Sequence, residues 1–340
     1  MDPIALTRRL VDVESITGNE APVGELLLAE LTALGFQAEK MPVPFPPEID
    51  GHGRERFNVY AGAGSQPEIV FSTHMDTVPP FFPAREDETR IYGRGACDAK
   101  GIMAAQIAAA LRLRDAGLAI GLLYVVGEER DSLGAATANA NSPKPRFLIN
   151  GEPTGNKLAV ASKGSLRVLV KAAGRMAHSA YPELGESAID KLLEALQRLR
   201  AMKLAAHPEA GPSTLNIGLI EGGRAPNVVP DFARAHLQYR LVEPSDRLRR
   251  EIAGAVSGLA EAEFVLESPF VKLRTLPGLP TMVAAFTTDI PHLGNWGEPL
   301  LAGPGSIHVA HTNGEYIEKS ELLAAVDLYC HMAQKLVASS

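Results

Sequence analysis

Cysteine is scarce in this chain, and its scarcity limits the kinds of site that the chain can build. Only two of the 340 residues are cysteines, Cys97 and Cys330. Two thiols cannot form a disulfide framework, and they cannot supply a thiolate cage for zinc. Any metal ion bound here must therefore be held by histidine nitrogens and carboxylate oxygens.

Long apolar runs and an excess of basic residues are also missing. No stretch approaches the roughly 20 apolar residues of a membrane span, and the N-terminal sequence MDPIALTRRLVDVES lacks the pattern of a secretion signal. The formal net charge is −7, whereas nucleic-acid-binding proteins favour a basic stripe. We therefore expect a cytoplasmic protein with no nucleic-acid partner and no membrane partner.

The composition is that of an ordinary globular protein, and the length fits two domains. Apolar runs predict strands, and periodic apolar positions predict helices. The predicted strands lie at 58–62, 68–72, 120–127 and 146–150, and the predicted helices at 4–16, 22–35 and 100–116. Alternation of strands and helices indicates an α/β sheet with parallel strands.

The pattern changes in the middle of the chain. Strands are predicted at 165–174, 213–222, 231–242 and 262–268, with helices at 186–202 and 245–260. The order βαββαβ is that of a ferredoxin-like sandwich. We therefore predict a domain formed by residues 1–162 and 275–340, into which a second domain, residues 163–274, is inserted.

Histidine and carboxylate residues follow several of the apolar runs. They lie in STHMDTVPP (72–80), GRGACDAKG (93–101), VVGEER (125–130), GEPT (151–154) and AHTNGEY (310–316). The carboxyl ends of strands in an open α/β sheet form the edge where ligands bind. Two metal ions need a bridging carboxylate, terminal ligands and a carboxylate base for water. The pattern predicts a two-metal hydrolytic site, although the residues alone do not decide between His308 and His311 as a ligand.

Together these motifs resemble those of the dinuclear zinc aminoacylase/carboxypeptidase family, which includes acetylornithine deacetylase and succinyl-diaminopimelate desuccinylase. The resemblance covers nearly the whole chain. It implies an α/β fold with a mixed-sheet, zinc-peptidase-like catalytic domain, and it makes the inserted ferredoxin-like domain a lid and dimerisation domain. It also implies two Zn²⁺ ions as cofactors, with Co²⁺ as a substitute.

The same resemblance divides the predicted ligands between the two ions. Asp98 bridges both ions in this scheme. His74 and Glu152 complete the site of one ion. Glu129 and His311 complete the site of the other, so the resemblance selects His311 from the two candidate histidines.

Further residues take part in the implied chemistry. Glu128 is the general base that activates water and later passes the proton to the leaving amine. Asp76 orients His74 through its second ring nitrogen. In the family the peptide after the bridging aspartate is cis, which here is the Asp98–Ala99 peptide.

The inserted domain carries a motif of its own, GRMAHSAYPELGESAI at 174–189. It resembles the family's lid motif, whose histidine reaches the active site of the partner subunit and polarises the substrate carbonyl. The resemblance therefore assigns His178 to oxyanion stabilisation and implies a homodimer.

Three residues are predicted to bind substrate. Asn227 lies in GGRAPNVVPD (222–231), which matches the family's asparagine motif. Arg240 follows on the next strand and could pair with a substrate carboxylate in a bidentate manner. Gly305 lies in GPGSI (303–307), a segment that looks closest to the acetylornithine deacetylase branch.

The predicted function is metal-dependent hydrolysis of an N-acyl amino acid, as in acetylornithine deacetylase and amino-acid biosynthesis. A dipeptidase or carboxypeptidase with the same metal site is the nearest alternative. A succinyl-diaminopimelate desuccinylase and a hydrolase of carrier-linked lysine are further alternatives. A non-catalytic relative that keeps only the fold is the alternative from another class, and the intact set of ligands and Glu128 speaks against it.

Overall fold

The computed structural model describes residues 1–46, 49–62 and 66–338. The helices in these ranges are α1 (Pro3–Val11), α2 (Ala21–Ala33), α3 (Lys100–Asp115), α4 (Leu133–Ala140), α5 (Ala188–Ala201), α6 (Asp246–Val256) and α7 (Lys319–Ala338). The strands of the first half are β1 (Gln37–Pro42), β2 (Phe57–Gly62), β3 (Ile69–His74), β4 (Arg85–Glu86), β5 (Arg90–Tyr92), β6 (Ile120–Val125), β7 (Phe147–Asn150), β8 (Leu158–Ser162) and β9 (Gly164–Ala173). Those that follow are β10 (Ala177–His178), β11 (Ala206–His207), β12 (Gly211–Pro212), β13 (Thr214–Gly222), β14 (Val228–Val229), β15 (Phe232–Leu241), β16 (Glu261–Ser268), β17 (Val271–Lys272), β18 (Thr281–Ala284), β19 (Glu298–Leu301) and β20 (Tyr316–Glu318).

The chain divides into two compact units. The first unit comprises Met1–Val160, Leu273–Met282 and Thr288–Ser340. The second unit comprises Ala161–Lys272 together with Val283–Thr287. The short stretch Val283–Thr287 falls in the first domain by the boundaries that the sequence predicts.

The first unit is built on a six-stranded mixed sheet with the strand order β1-β2-β6-β3-β7-β19. Strands β6, β3, β7 and β19 run parallel to one another, whereas β2 is antiparallel to both β6 and the edge strand β1. Every residue of β3, β6 and β7 is buried. Continuous apolar runs without alternation are typical of strands in a sheet that is covered on both faces.

Helices and loops cover both faces of this sheet. Along β3, Phe71 packs into one apolar cluster with α1, α3 and α7, while Val70 packs into another with Trp296. Helix α3 is buried along nearly its whole length, and its small alanines allow it to lie close to the sheet and to α7. None of the helices in the described ranges combines the length with the apolar character that a bilayer crossing requires.

The second unit is a four-stranded antiparallel sheet in the order β13-β15-β9-β16, with α5 and α6 on one face. Residues alternate between buried and exposed along β15, and the buried ones join Leu192 and Ile252 of the helices in one core. The predicted fold class, an α/β fold with a ferredoxin-like βαββαβ segment, is therefore confirmed.

The first predicted helix is too long. Helix α1 ends at Val11 rather than at residue 16. The Asp12 carboxylate accepts the backbone N–H of Ala84, and the Ser15 carbonyl accepts that of Thr77. These long-range bonds hold residues 12–16 against a neighbouring loop, which overrides the local helical pattern.

Candidate metal centre and active site

Three parallel strands bring the predicted catalytic side chains to one edge of the sheet. His74 is the last residue of β3, Glu128 and Glu129 follow β6, and Glu152 follows β7. Pairing of β3 with both β6 and β7 is parallel, so their carboxyl ends lie side by side. This is the edge at which ligands bind in open α/β sheets.

His74 is held by hydrogen bonds at both ring nitrogens. Its Nδ1 lies 2.9 Å from the backbone carbonyl of Asp76, which can only accept, so Nδ1 carries a hydrogen. Its Nε2 lies 3.0 Å from Oδ1 of Asp98. Burial acts to lower the pKa of His74, but hydrogen bonds to Asp76 and Asp98 and the charges of Asp98 and Glu152 outweigh it and raise this pKa well above its usual value.

Asp98 lies between the two predicted histidine ligands. Its Oδ1 faces His74, and its Oδ2 is 3.4 Å from Nε2 of His311. The same nitrogen of His311 donates to Oε1 of Glu129 at 2.7 Å. His308 does not share these contacts among the described residues, and its backbone N–H donates to Ser306. The peptide from Asp98 to Ala99 is cis, as the resemblance implies.

These donor atoms fit a divalent ion. Among the described residues, ligand atoms of His74, Asp98 and Glu129 all lie within 4.8 Å of one another. Imidazole nitrogens and carboxylate oxygens are the donors that zinc takes when cysteine is absent. His311 touches two members of this group and so extends it to a fourth side chain.

Two further carboxyl groups, those of the buried Glu152 and the partly buried Glu128, lie close to the cluster. Burial, followed by the charge of Glu152, raises the pKa of Glu128 well above its usual value. Burial, followed by the charge of Asp98, does the same to the pKa of Glu152. Several carboxylates packed together away from water repel one another, and cations or protons must compensate them.

Asp76 lies at the ring nitrogen of His74 at which the resemblance implies it, and it has further partners. Its carbonyl contacts His74, whereas its carboxylate Oδ1 is 3.6 Å from the same ring nitrogen. The carboxylate also accepts the backbone N–H groups of Glu128 and Glu129, at 3.1 and 3.2 Å, and the hydroxyl of Thr17 at 2.7 Å. Asp76 therefore shapes the turn that carries the two glutamates.

Three buried charged residues around this centre were missed by the sequence reasoning. Glu315 accepts backbone N–H groups from the segment that ends in Asp98. Arg56 pairs with Glu20 and Asp131 behind the turn of Glu128. Asp289 is buried, and burial raises its pKa to about 7. Each is a single charged residue in a loop or at a strand end, so no periodic pattern could have marked it as buried.

Gly305 lies beside the centre but is itself buried. Its φ of +85° is a conformation that favours glycine, and an added Cβ would meet the Sγ of Cys97 at 2.5 Å. Its carbonyl accepts the N–H of Gly155. These contacts explain why a glycine stands there, while its role in substrate binding stays a prediction.

The remaining predicted residues belong to the second unit. His178 and Asn227 lie on adjacent segments, since the N–H of Ser179 donates to the carbonyl of Asn227 and β10 pairs with β14. Arg240 lies near the end of β15, opposite Thr214 of β13. Burial, followed by the charge of Arg167, lowers the pKa of Arg240. No carboxylate in the described part of the chain forms a salt bridge with Arg240, and its role in substrate binding stays a prediction.

Comparisons with known proteins agree with this architecture. The model of the peptidase dimerisation domain of the M20 family matches residues 160–262. A peptidase M20 domain-containing protein of Schizosaccharomyces pombe is 40% identical over 97% of this chain and 83% of its own length. A probable carboxypeptidase of Aspergillus terreus is 38% identical over 96% of this chain and 84% of its own length. The crystal structure of a tripeptidase from Staphylococcus aureus superposes with a TM-score of 0.79 at 23% identity, covering 100% of this chain and 98% of that one.

The fold, the cluster of histidine and carboxylate side chains and the relatives define a metal-dependent hydrolase that acts on amide bonds. The chain belongs to the M20 peptidase family. The family resemblance is confirmed at this level, and the assignment to the acetylornithine deacetylase branch stays a prediction.

Proposed function

We propose that this chain hydrolyses the amide bond of N-acyl amino acids, and that its activity is like that of acetylornithine deacetylase. The observation that carries the proposal is the position of Asp98, with one carboxylate oxygen facing His74 and the other facing His311. A carboxylate shared in this way between two histidines is suited to bridge two cations.

The residues that would hold two ions are those of the cluster. Asp98 would bridge, His74 and Glu152 would complete one site, and Glu129 and His311 would complete the other. When bound, divalent ions such as Zn²⁺ supply Lewis-acid polarisation of the scissile carbonyl. Tight packing of the carboxylates supports this assignment, because their charges are compensated only when cations or protons are present.

Glu128 would serve as the general base. Its carboxylate would take a proton from the attacking water and later give it to the leaving amine nitrogen. Burial, followed by the charge of Glu152, raises the pKa of Glu128, which makes its carboxylate a stronger proton acceptor than an exposed glutamate. Asp76 holds the backbone of Glu128 and so sets the direction in which the carboxylate points.

The second unit would contribute recognition. His178 would stabilise the oxyanion in the partner subunit of a homodimer, Arg240 would bind the substrate carboxylate, and Asn227 would contact the substrate beside His178. The match of residues 160–262 to a peptidase dimerisation domain supports the homodimer. The absence of an acidic partner for Arg240 among the described residues supports its role toward a carboxylate.

Carboxypeptidase or dipeptidase activity is the second candidate, and the name of the Aspergillus terreus relative favours it. Both candidates cleave an amide whose amine side is an amino acid with a free carboxylate. They differ in whether the acyl side is a short acyl group or a further amino acid.

A substrate panel separates the two candidates. Metal-free protein, reconstituted with Zn²⁺ or Co²⁺, would be assayed on N-acetyl-ornithine, N-acetyl-citrulline, N-succinyl-diaminopimelate, a carrier-linked lysine, dipeptides and longer peptides. Faster turnover of an N-acetyl amino acid than of any peptide supports the first candidate. Faster turnover of peptides selects the second, and no metal-dependent turnover of any of these amides refutes both.

A further inference from the structure

Glu315 makes an unusual set of contacts for a buried carboxylate. Its side chain is fully buried in the first unit. Oε1 accepts three backbone N–H groups, from Gly95 at 2.9 Å and from Cys97 and Asp98 at 3.1 Å each. Oε2 accepts from Nη1 of Arg94 at 2.6 Å. All the donors come from the irregular segment 94–98, which ends in the central carboxylate of the metal cluster.

These bonds determine the backbone of Asp98. Residues 94–98 lie in no helix or strand, so no ladder of hydrogen bonds fixes their direction. A buried backbone N–H without an acceptor is costly, and the Glu315 oxygen is the acceptor for three of them at once. One of these is the N–H of Asp98 itself. Glu315 therefore fixes the backbone position of Asp98, whose side chain contacts His74 and His311.

Arg94 compensates the charge of the buried Glu315 carboxylate, which lies close to Asp98. Its guanidinium is fully buried, donates to Glu315 and lies over the ring of Phe82. The ion pair compensates the charge of Glu315, so that the hydrogen bonds are gained without an unpaired second carboxylate beside the metal cluster. The second guanidinium contact, from Nε to the carbonyl of Pro80, fixes Arg94 to the neighbouring loop.

Glu315 also belongs to the segment that supplies His311. One short stretch of chain therefore provides an imidazole that touches Oδ2 of Asp98 and a carboxylate that holds the N–H of Asp98. A displacement of this stretch would move two predicted ligands together.

We propose that Glu315 is a positioning residue for the metal centre, which orients Asp98 through its backbone and has no contact with the ions. This inference rests on the proposed function, because it assumes that Asp98 is a ligand. Mutation of a residue that orients a metal ligand typically lowers the metal affinity by about 10- to 100-fold.

The test measures zinc affinity by competition with a chromophoric chelator, and folding by circular dichroism of the metal-free protein. In Glu315→Gln the side chain keeps only one acceptor oxygen. Its NH₂ group must then face either the guanidinium of Arg94 or the three backbone N–H groups, all of which are donors. In Glu315→Asp the charge for Arg94 is kept, but the oxygen is drawn back from the three N–H groups. Both variants should fold and should bind zinc about 10- to 100-fold more weakly than the wild type.

The matched control is Glu318→Gln. Glu318 lies in the same segment and pairs with an arginine, Arg90, but it contacts none of the N–H groups of residues 94–98 in the described chain. Its removal should leave zinc affinity within about twofold of the wild-type value, as expected for a partly exposed pair.

Wild-type zinc affinity in either folded Glu315 variant would overturn the inference. If Glu315→Gln alone fails to fold, Glu315→Asp decides the outcome. Failure of both to fold would assign Glu315 to global folding and would also overturn it. A wild-type protein that binds no divalent ion would instead refute the proposed function, so the two failures are distinguishable.

Discussion

The carboxylate of Asp76 accepts the backbone N–H of Glu128 at 3.1 Å, so a residue beside one predicted ligand shapes the turn that carries the predicted base. The N–H of Glu129 donates to the other oxygen of the same carboxylate. Asp76 therefore acts on three of the catalytic candidates, through its carbonyl on His74 and through its carboxylate on the two glutamates.

Replacement of Asp76 by alanine should weaken the metal centre and slow turnover together. The change leaves three partly buried donors without this acceptor and releases the turn of Glu128 and Glu129. We expect a loss of about 10- to 100-fold in both zinc affinity and kcat/KM. Thr17→Val, which removes only one of the donors to Asp76, is the control and should cost much less. Normal zinc affinity in folded Asp76→Ala would show that the turn of Glu128 and Glu129 keeps its conformation without the Asp76 carboxylate.

Glu128 and Glu129 should behave differently although they are adjacent. Glu128→Gln is expected to keep its metal and to lose about 10²- to 10⁴-fold in kcat, because only the proton acceptor is removed. Glu129→Gln is expected to bind metal more weakly, because Glu129 lies within the ligand cluster. Metal content by atomic emission and steady-state kinetics separate these effects. Unchanged kcat in Glu128→Gln would exclude it as the base.

The metal-free protein should lose a stabilising contact of His311 as the pH rises. Hydrogen bonds to Asp98, and then to Glu129, raise the pKa of His311 from 6.5 to about 10. A group whose pKa is raised on folding stabilises the folded state fully below its unfolded pKa, and this contribution disappears as the pH passes the folded pKa.

Urea unfolding of the metal-free wild type and of His311→Gln measures this contribution. The stability advantage of the wild type should decrease as the pH rises above about 6.5 and should vanish above about pH 10. His308→Gln controls for the loss of an exposed imidazole from the same segment. An advantage that stays constant across this pH range would contradict the assigned contacts of His311.

Arg56 should contribute to stability far more than an ordinary surface arginine. Its guanidinium is fully buried between Glu20 and Asp131. Arg56→Met leaves these two carboxylates without their cation and should cost about 3–5 kcal/mol in the free energy of unfolding. Arg112→Met breaks an exposed pair with Asp327 and should cost under about 1 kcal/mol. Equal costs in denaturant unfolding would show that the buried network is not a stabilising element.

A mixture of two inactive proteins should recover activity if His178 acts in the partner subunit. In a heterodimer of Glu128→Gln and His178→Ala, one active site has both an intact base and an intact histidine from its partner. Random exchange should restore at most about a quarter of the wild-type activity in a symmetric dimer. Differently tagged subunits verify the exchange. No recovery after verified exchange would place His178 in its own subunit's site or outside catalysis.

The sequence predicts the parts of this protein that have a period or a motif. Strands β3, β6 and β7 were predicted because fully buried parallel strands are continuous apolar runs, and the helices α5 and α6 because one face of each is apolar. The clustering of His74 with Glu129 is predicted from their positions at the carboxyl ends of strands, whereas the position of Asp98 beside them is implied by the family resemblance.

Other features depend on tertiary contacts, and no local sequence pattern predicts them. Strand β1 is mostly polar and pairs only at the edge of the sheet, so its sequence resembles a loop. Glu315 stands in a motif that was noted for His311, yet nothing in one sequence shows that its carboxylate is buried beneath Asp98. Asp76 is predicted at His74, but the two N–H groups that its carboxylate also accepts belong to a turn whose geometry residue spacing does not reveal.

The order of the predicted ligands along the chain has a consequence for biosynthesis. His74, Asp98, Glu129 and Glu152 are translated before the second unit, whereas His311 and Glu315 are translated after it. Domains generally fold as they leave the ribosome. The second unit can therefore fold while the metal centre still lacks both the imidazole of His311 and the anchor of Asp98. A nascent chain arrested before residue 311 should acquire the second unit's structure but should not yet retain zinc.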